Sequence, residues 1–247
     1  MLELDLWLDI AKSAALEGGN YLLQNQGKEL KVLMDSGRDI KLQLDTDTEK
    51  LIKETLSLQS SFSILGEETG LSNNLGEFYW VVDPLDGTSN FLRDIPISCV
   101  SIALMQDVTP ILGVIYDFNH DDLYFGHQNS KAFLNENEIT VSDYATKNQS
   151  TLVTGIPAKT HYSDEEFKNM INDFQDWKKV RMIGSAAMAA IYVAAGKAET
   201  YKENGIFLWD IAAGAAIVEA AGGVASIKNI QADYRVDAIF TNQHLAN

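Results

Sequence analysis

The chain has 247 residues, 46% of them apolar and 22% charged, the balance of an ordinary globular protein long enough to bury a large core without staples. Its 19 basic and 35 acidic residues leave a formal net charge of −16, which argues against a nucleic-acid binder, because a phosphate backbone needs a basic footprint. The start, MLELDLWLDIAKSAALEGG, has no basic n-region, and no apolar run reaches the roughly 18 residues of a membrane span, so the expectation is a soluble cytoplasmic protein with neither membrane nor nucleic acid as a partner.

A lone cysteine, Cys99, makes no internal disulfide and reads as a packed core thiol in the apolar run 97–105. His120, His127, His161 and His244 are scattered without ligand-like spacing, which argues against zinc. Clustered carboxylates point instead to a hard cation such as Mg²⁺. So acidic a chain repels small anions at long range, and an anionic substrate needs cations at the site.

In chain order, residues 4–25 carry helical periodicity through Leu4, Trp7, Leu8, Ala11 and Ala15. Thr46 and Glu49 have the spacing of a capping box, which predicts a second helix running to about Gln59. Ile64 and Leu65 predict a short strand, and YWVV at 79–82 another that ends at Asp83 and is stopped by Pro84. ISCVSIALM, PILGVIYDF and DDLYFGH predict a three-stranded meander with turns at 106–107 and 119–122. Phe133 and residues 139–141 add short strands.

After about residue 148 strands and helices alternate. TLVTG is a strand, and Ser163 with Glu166 opens a helix that runs to about Trp177. VRMI is a strand, residues 185–195 form a helix stopped by Gly196, and ETYKE is short and extended. Residues 210–221 form an alanine-rich helix stopped by Gly222 and Gly223. The alternation predicts α/β layering: an N-terminal α+β half over 1–147 and a C-terminal α/β half over 148–247, sharing one cleft.

The most informative segment is WVVDPLDGTSNF, residues 80–91. An apolar strand delivers Asp83 at its end, and Asp86 follows three residues later. Asp83, the Leu85 carbonyl and Asp86 can present oxygens within one small volume, as Mg²⁺ requires. The backbone N–H groups of Gly87 and Thr88, at a helix start, can receive a phosphate. D-P-x-D-G is also good turn chemistry, but a simple surface turn needs no buried strand before it. GEETG at 66–70 places Glu67 and Glu68 after a strand, and LWDIAAGAAIVEAAGG at 208–223 places Asp210 at a helix N-terminus, where it also suits an N-cap. DIKLQLD at 39–45 supplies Asp39 and Asp45.

GEE at 66–68, DPLDGTSNF at 83–91 and WDIAAG at 209–214, in this order and spacing, resemble the signature motifs of the inositol monophosphatase family, and the resemblance covers nearly the whole chain. It implies a layered αβαβα sandwich of the sugar-phosphatase type, two or three Mg²⁺ ions at a lithium-sensitive site, and a phosphomonoester hydrolase acting on a small polyol or sugar phosphate, above all inositol monophosphate. The first ion would bind Glu67, Asp83 and the Leu85 carbonyl. The second would bind Asp83, Asp86 and Asp210. A third, weaker one would use Glu67 and Asp45. Thr88 with Glu67 would position and activate the attacking water, and the Gly87 and Thr88 N–H groups would hold the phosphate.

On the substrate side, RMIGSAAMAA at 181–190 resembles the segment that lines the family's sugar pocket, which points to Gly184, Ser185 and Ala186. YKENG at 201–205 puts Glu203 where inositol-type members use a glutamate to accept substrate hydroxyls. The chain departs from the family pattern D-x-V-T-x-x-D at 39–45, where Leu42 replaces the threonine, and this bears on the third ion. Only 24 residues follow Gly223, which predicts a trimmed edge to the second half. A homodimer fits the family's habit. The readings left open are a 3′(2′),5′-bisphosphate nucleotidase, a histidinol-phosphate or fructose-bisphosphate phosphatase, and, from another class, a non-catalytic metal or sugar-phosphate binder.

Overall fold

Two apolar stripes at helical spacing and a set of strands buried on both faces organise the chain. The computed structural model describes residues 3–36, 39–157 and 161–246. Helix α1 (Leu4–Asn25) buries Leu4, Leu8, Ala11, Ala15 and Leu22 on one face. A hairpin of β1 (Val32–Ser36) and β2 (Asp39–Leu42) leads into α2 (Gln43–Gln59). That helix starts four residues earlier than the Thr46 box predicts. Its first turn is closed by Asp45, whose Oδ2 accepts the Leu42 N–H at 2.9 Å.

Strands β3 (Ser63–Gly66), β4 (Gly70–Leu71) and β5 (Phe78–Asp86) follow, then the short helix α3 (Thr88–Phe91). The expected meander is β6 (Cys99–Gln106), β7 (Thr109–Asp117) and β8 (Asp122–His127), continued by β9 (Ala132–Leu134) and β10 (Asn137–Ile139). The last short strand therefore ends at Ile139, where residues 139–141 were expected. These strands form an eight-stranded sheet in the order β10-β9-β8-β7-β6-β5-β3-β4.

The remainder alternates as expected: β11 (Thr151–Thr154), α4 (Asp164–Asp176), β12 (Lys179–Met182), α5 (Ala186–Ala194), β13 (Thr200–Phe207), α6 (Leu208–Ala220), β14 (Val224–Lys228) and β15 (Arg235–Thr241). The second sheet runs β12-β11-β13-β15-β14. ETYKE is the first part of an eight-residue strand, not a short extended piece. The residues after Gly223 complete this sheet, with β15 paired to both β13 and β14.

Alternation along β5 and β6 shows where the cores lie. Tyr79, Val81, Cys99, Ala103 and Met105 point to one core, shared with α5 and α6. Trp80, Val82, Val100, Ile102 and Leu104 point to the other, shared with α1 and α2. Helices α5 and α6 touch strands of both sheets, while α4 faces β11 and β13. The layers are thus α1/α2, the eight-stranded sheet, α5/α6, the five-stranded sheet, and α4. Among the described residues no helix is long and apolar enough to cross a membrane.

Candidate active site

The strand that carries Asp83 does not stop at Pro84. It continues to Asp86 through a bulge: Asp83 pairs with Ser101 and Asp86 with Cys99, with the register shifting between them. Pro84 lacks an N–H, and a bulge is where a strand tolerates it. The bulge also resets side-chain parity. Residues three apart on a regular strand face opposite ways, but partners two apart, Ser101 and Cys99, face the same way. Both aspartates therefore point to the α5/α6 side, from which Asp210 approaches.

At this strand end lies a cleft of about 400 Å³, lined by Lys41, Glu67, Asp83, Leu85, Asp86, Gly87, Thr88, Gly184, Ser185, Ala186, Glu203 and Asp210 among others. Every site residue expected from the sequence is there except Asp45, which is buried on the first turn of α2 and acts on Glu67 through its charge. The side chain of Asp39 lies outside the described residues.

Each carboxylate is held by local geometry. Asp83 Oδ1 accepts the Leu85 N–H at 2.9 Å. Asp86 Oδ2 accepts the Ala187 N–H at 2.8 Å and the Ser185 hydroxyl, so β5 is tied to the start of α5. Asp210 is the third residue of α6, not its cap, and its Oδ2 accepts the Phe207 N–H at 3.4 Å. Gly87 sits at φ +87°, where a Cβ would lie 2.7 Å from the Ile97 carbonyl oxygen, so the turn after Asp86 demands glycine. Thr88 Oγ1 donates to the Leu85 carbonyl at 3.0 Å. Asn90 donates to Ile97 O at 2.8 Å and Ile183 O at 2.9 Å, which clamps the segment after Asp86 against the turn at Gly184.

Burial and mutual repulsion push the acids up. Burial raises Glu67 to about 8, with Glu68 adding to it and Lys41 opposing it. Burial raises Asp86 to about 6 against the hydrogen bonds from Ser185 and Ala187. Asp83 and Asp210 also lie well above the usual carboxylate range, from burial and then from neighbouring carboxylates. Glu67 and Asp83 share a hydrogen bond. Burial raises Glu203 to about 7, while Tyr201 donates to its Oε2 at 3.0 Å.

Among the described residues no three of these groups close on one point as ligands. The donor set still fits a hard divalent cation. It is all oxygen, and it concentrates like charges at a cost that a cation relieves.

Two positioning roles were not legible in the sequence. Glu49, expected in a capping box, is fully buried on α2 and accepts the Glu68 N–H at 2.7 Å and the Thr69 N–H at 3.0 Å, with Lys53 at 3.1 Å. It thus shapes the turn that presents Glu67. A Cβ on Gly66 would lie 2.4 Å from its carboxylate. Ser185, expected to line the substrate pocket, does line the cleft, but its hydroxyl is committed to Asp86 and to capping α5 through the Met188 N–H. The bonds from Glu49 to the β3 turn and from Ser185 to Asp86 have no local signal, since each joins distant segments.

The profile of the Inositol monophosphatase family matches residues 3–239. The chain is 39% identical to the Nus factor SuhB of Xylella fastidiosa over 220 residues, covering 87% of this chain and 80% of that one. It is 35% identical to the inositol-1-monophosphatase of Synechocystis over 235 residues, covering 91% and 79%. The solved inositol monophosphatase of Anabaena superposes with a TM-score of 0.84 at 33% identity, covering 99% of this chain and 93% of the other. A match of this extent, on a layered α/β fold with an acidic cleft at the end of β5, means that the chain belongs to the inositol monophosphatase family of phosphomonoester hydrolases.

Proposed function

We propose that this chain hydrolyses a small polyol or sugar monophosphate, inositol monophosphate foremost, at a site holding two Mg²⁺ ions. The observation that carries the reading is the bulge in β5, which turns Asp83 and Asp86 to one side, into the cleft that Glu67 and Asp210 also line. In this reading Glu67, Asp83 and the Leu85 carbonyl would hold one ion, and Asp83, Asp86 and Asp210 the other. Bound there, the ions lower the pKa of water and neutralise charge on the phosphoryl oxygens.

The chain's own groups do the positioning. Thr88 presents a hydroxyl beside the Leu85 carbonyl, and with Glu67, which lines the same cleft, it positions and activates the attacking water. The Gly87 and Thr88 N–H groups hold the phosphate, where donors fixed before the reaction stabilise charge as it spreads over the phosphoryl oxygens. On the alcohol side Gly184 and Ala186 leave room for a hydroxylated ring. Glu203, steadied by Tyr201, accepts its hydroxyls with the oxygen that Tyr201 leaves open. No covalent nucleophile takes part.

A cytoplasmic location, lithium sensitivity and a homodimer belong to the same proposal. They are supported by the family relationship and, for the compartment, by a single buried thiol. The 39% identical Xylella relative, named as a Nus factor, favours a second reading, in which the chain also acts by binding other proteins. Phosphate release decides the first reading. The purified chain is offered inositol 1-phosphate, histidinol phosphate, fructose 1,6-bisphosphate and 3′-phosphoadenosine 5′-phosphate, with Mg²⁺, with EDTA and with added Li⁺. Turnover concentrated on inositol 1-phosphate, abolished by EDTA and reduced by Li⁺, is expected. Mg²⁺-independent turnover, or none on any compound, overturns it.

A further inference from the structure

Among the described residues that line the cleft the charged groups are acidic but for one, and Lys41 alone carries a positive side chain. Lys41 lies on β2, and its ammonium donates to Glu68 Oε1 at 2.9 Å, with the Glu68 side chain only 6% exposed. Its charge also reaches Glu67, where it opposes the effect of burial and of Asp45. Lys41 thus stands at the Glu67–Glu68 edge of the cleft, four residues from Asp45 on the same hairpin-to-helix junction.

Glu67 and Asp45 are the two carboxylates that the family resemblance offers to a third, weaker ion. In the segment DIKLQLD the valine of the pattern D-x-V-T-x-x-D is Lys41 here. Asp45 is not idle either: its Oδ2 accepts the Leu42 N–H and closes the first turn of α2. A third divalent ion would have to displace the ammonium from Glu68 or settle close beside it. Repulsion between two cations falls only as the inverse of their distance and is weakly screened where the groups are buried.

We propose that Lys41 supplies a fixed monocation at the Glu67–Glu68 edge in place of a third divalent ion, so that this site saturates with two. The proposal rests on the reading of Glu67, Asp83, Asp86 and Asp210 as the ligands of those two. The advantage is a counter-charge for Glu67 and Glu68 that is present at any metal concentration. Removing the ammonium leaves Glu68 buried without its partner and the edge open to another cation.

The test is a count of Mn²⁺ bound to the full chain, with free Mn²⁺ read from its electron paramagnetic resonance signal, for wild type, Lys41→Arg and Lys41→Met. Wild type and Lys41→Arg should bind two ions per chain, and Lys41→Met a third. Three ions in the wild type, or an unchanged count of two in Lys41→Met with an unaltered thermal melt, overturns the role of Lys41. Should Lys41→Met not fold, Lys41→Gln, which keeps a donor for Glu68 without the charge, is counted in its place under the same criteria. Fewer than two ions in the wild type instead sinks the ligand assignment under the proposed function, so the two failures are told apart.

Discussion

Asp86 does two things that a substitution can separate. Its carboxylate supplies charge to the cleft, and its Oδ2 receives Ser185 and the Ala187 N–H. Asn keeps the size and an acceptor oxygen for the second task but loses the charge for the first. Asp86→Asn should lower phosphate release by at least about 100-fold, the scale on which metal sites respond to disturbed ligation, with the thermal melt nearly unchanged. Wild-type turnover in this variant would refute the ligand assignment. Tyr201 offers a finer test. Its hydroxyl is the donor to Glu203 at 3.0 Å, and the ring is fully buried. Hydrogen bonds to charged groups contribute about 1.5–3 kcal/mol, so Tyr201→Phe should raise KM for inositol 1-phosphate by roughly 10-fold or more with kcat less affected. A small aryl phosphate without ring hydroxyls should be turned over as before. An equal loss on both substrates would assign Tyr201 to packing alone.

The elements matter because each delivers one part of the site from a different layer. Helix α2 is a case in point. It packs in the outer core through Ile52 and Leu56, yet from the same helix Glu49 reaches through to the turn after β3. Its partners are two backbone N–H groups, the Thr69 hydroxyl and Lys53, so Glu49→Ala leaves the turn's donors and one side of an ion pair without their acceptor. Removing one member of a buried ion pair costs about 3–5 kcal/mol. The expected result is a melt lowered by several degrees together with loss of turnover, because the turn that carries Glu67 is no longer held. A variant that melts lower but keeps wild-type kcat would show that Glu49 supports the fold without setting the position of Glu67.

At the scale of the whole molecule, a net charge of −16 is compounded by concentrating acids in one cleft. Without metal, Glu67 stands at about 8 and Asp86 at about 6, against 4.5 and 3.8 for the free groups. The sign follows from linkage. The folded state binds more protons than the unfolded chain between about pH 4 and 8, so the metal-free protein loses stability as pH rises through that window. A divalent cation competes with those protons. Melts recorded from pH 5.5 to 8 should therefore show the metal-free midpoint falling while the rise produced by Mg²⁺ grows. A Mg²⁺ effect that is flat across this range would mean that these carboxylates are not the ones the ion meets.

Much of the site was legible because its parts are local. An apolar run ending in D-P-x-D-G, an acidic pair after a short strand, and an aspartate opening an alanine-rich helix each declare themselves within about a dozen residues, and their order along the chain carries the resemblance. Strand and helix types were legible for the same reason: alternation and helical spacing are properties of neighbours in sequence. Other features depend on pairings across the fold. The bulge that turns Asp83 and Asp86 the same way exists only against β6. The reach of β13 and the completion of the second sheet by β15 follow from partners that periodicity does not see. Glu49 and Ser185 read as helix-capping and pocket residues until α2 and α5 come against the β3 turn and Asp86. The sequence by itself determined which groups are candidates for the chemistry, because residue type and local backbone preference are written in it. Tertiary structure decided which way they face and what holds them, because hydrogen-bond partners, sheet register and burial belong to segments that meet only in the folded chain.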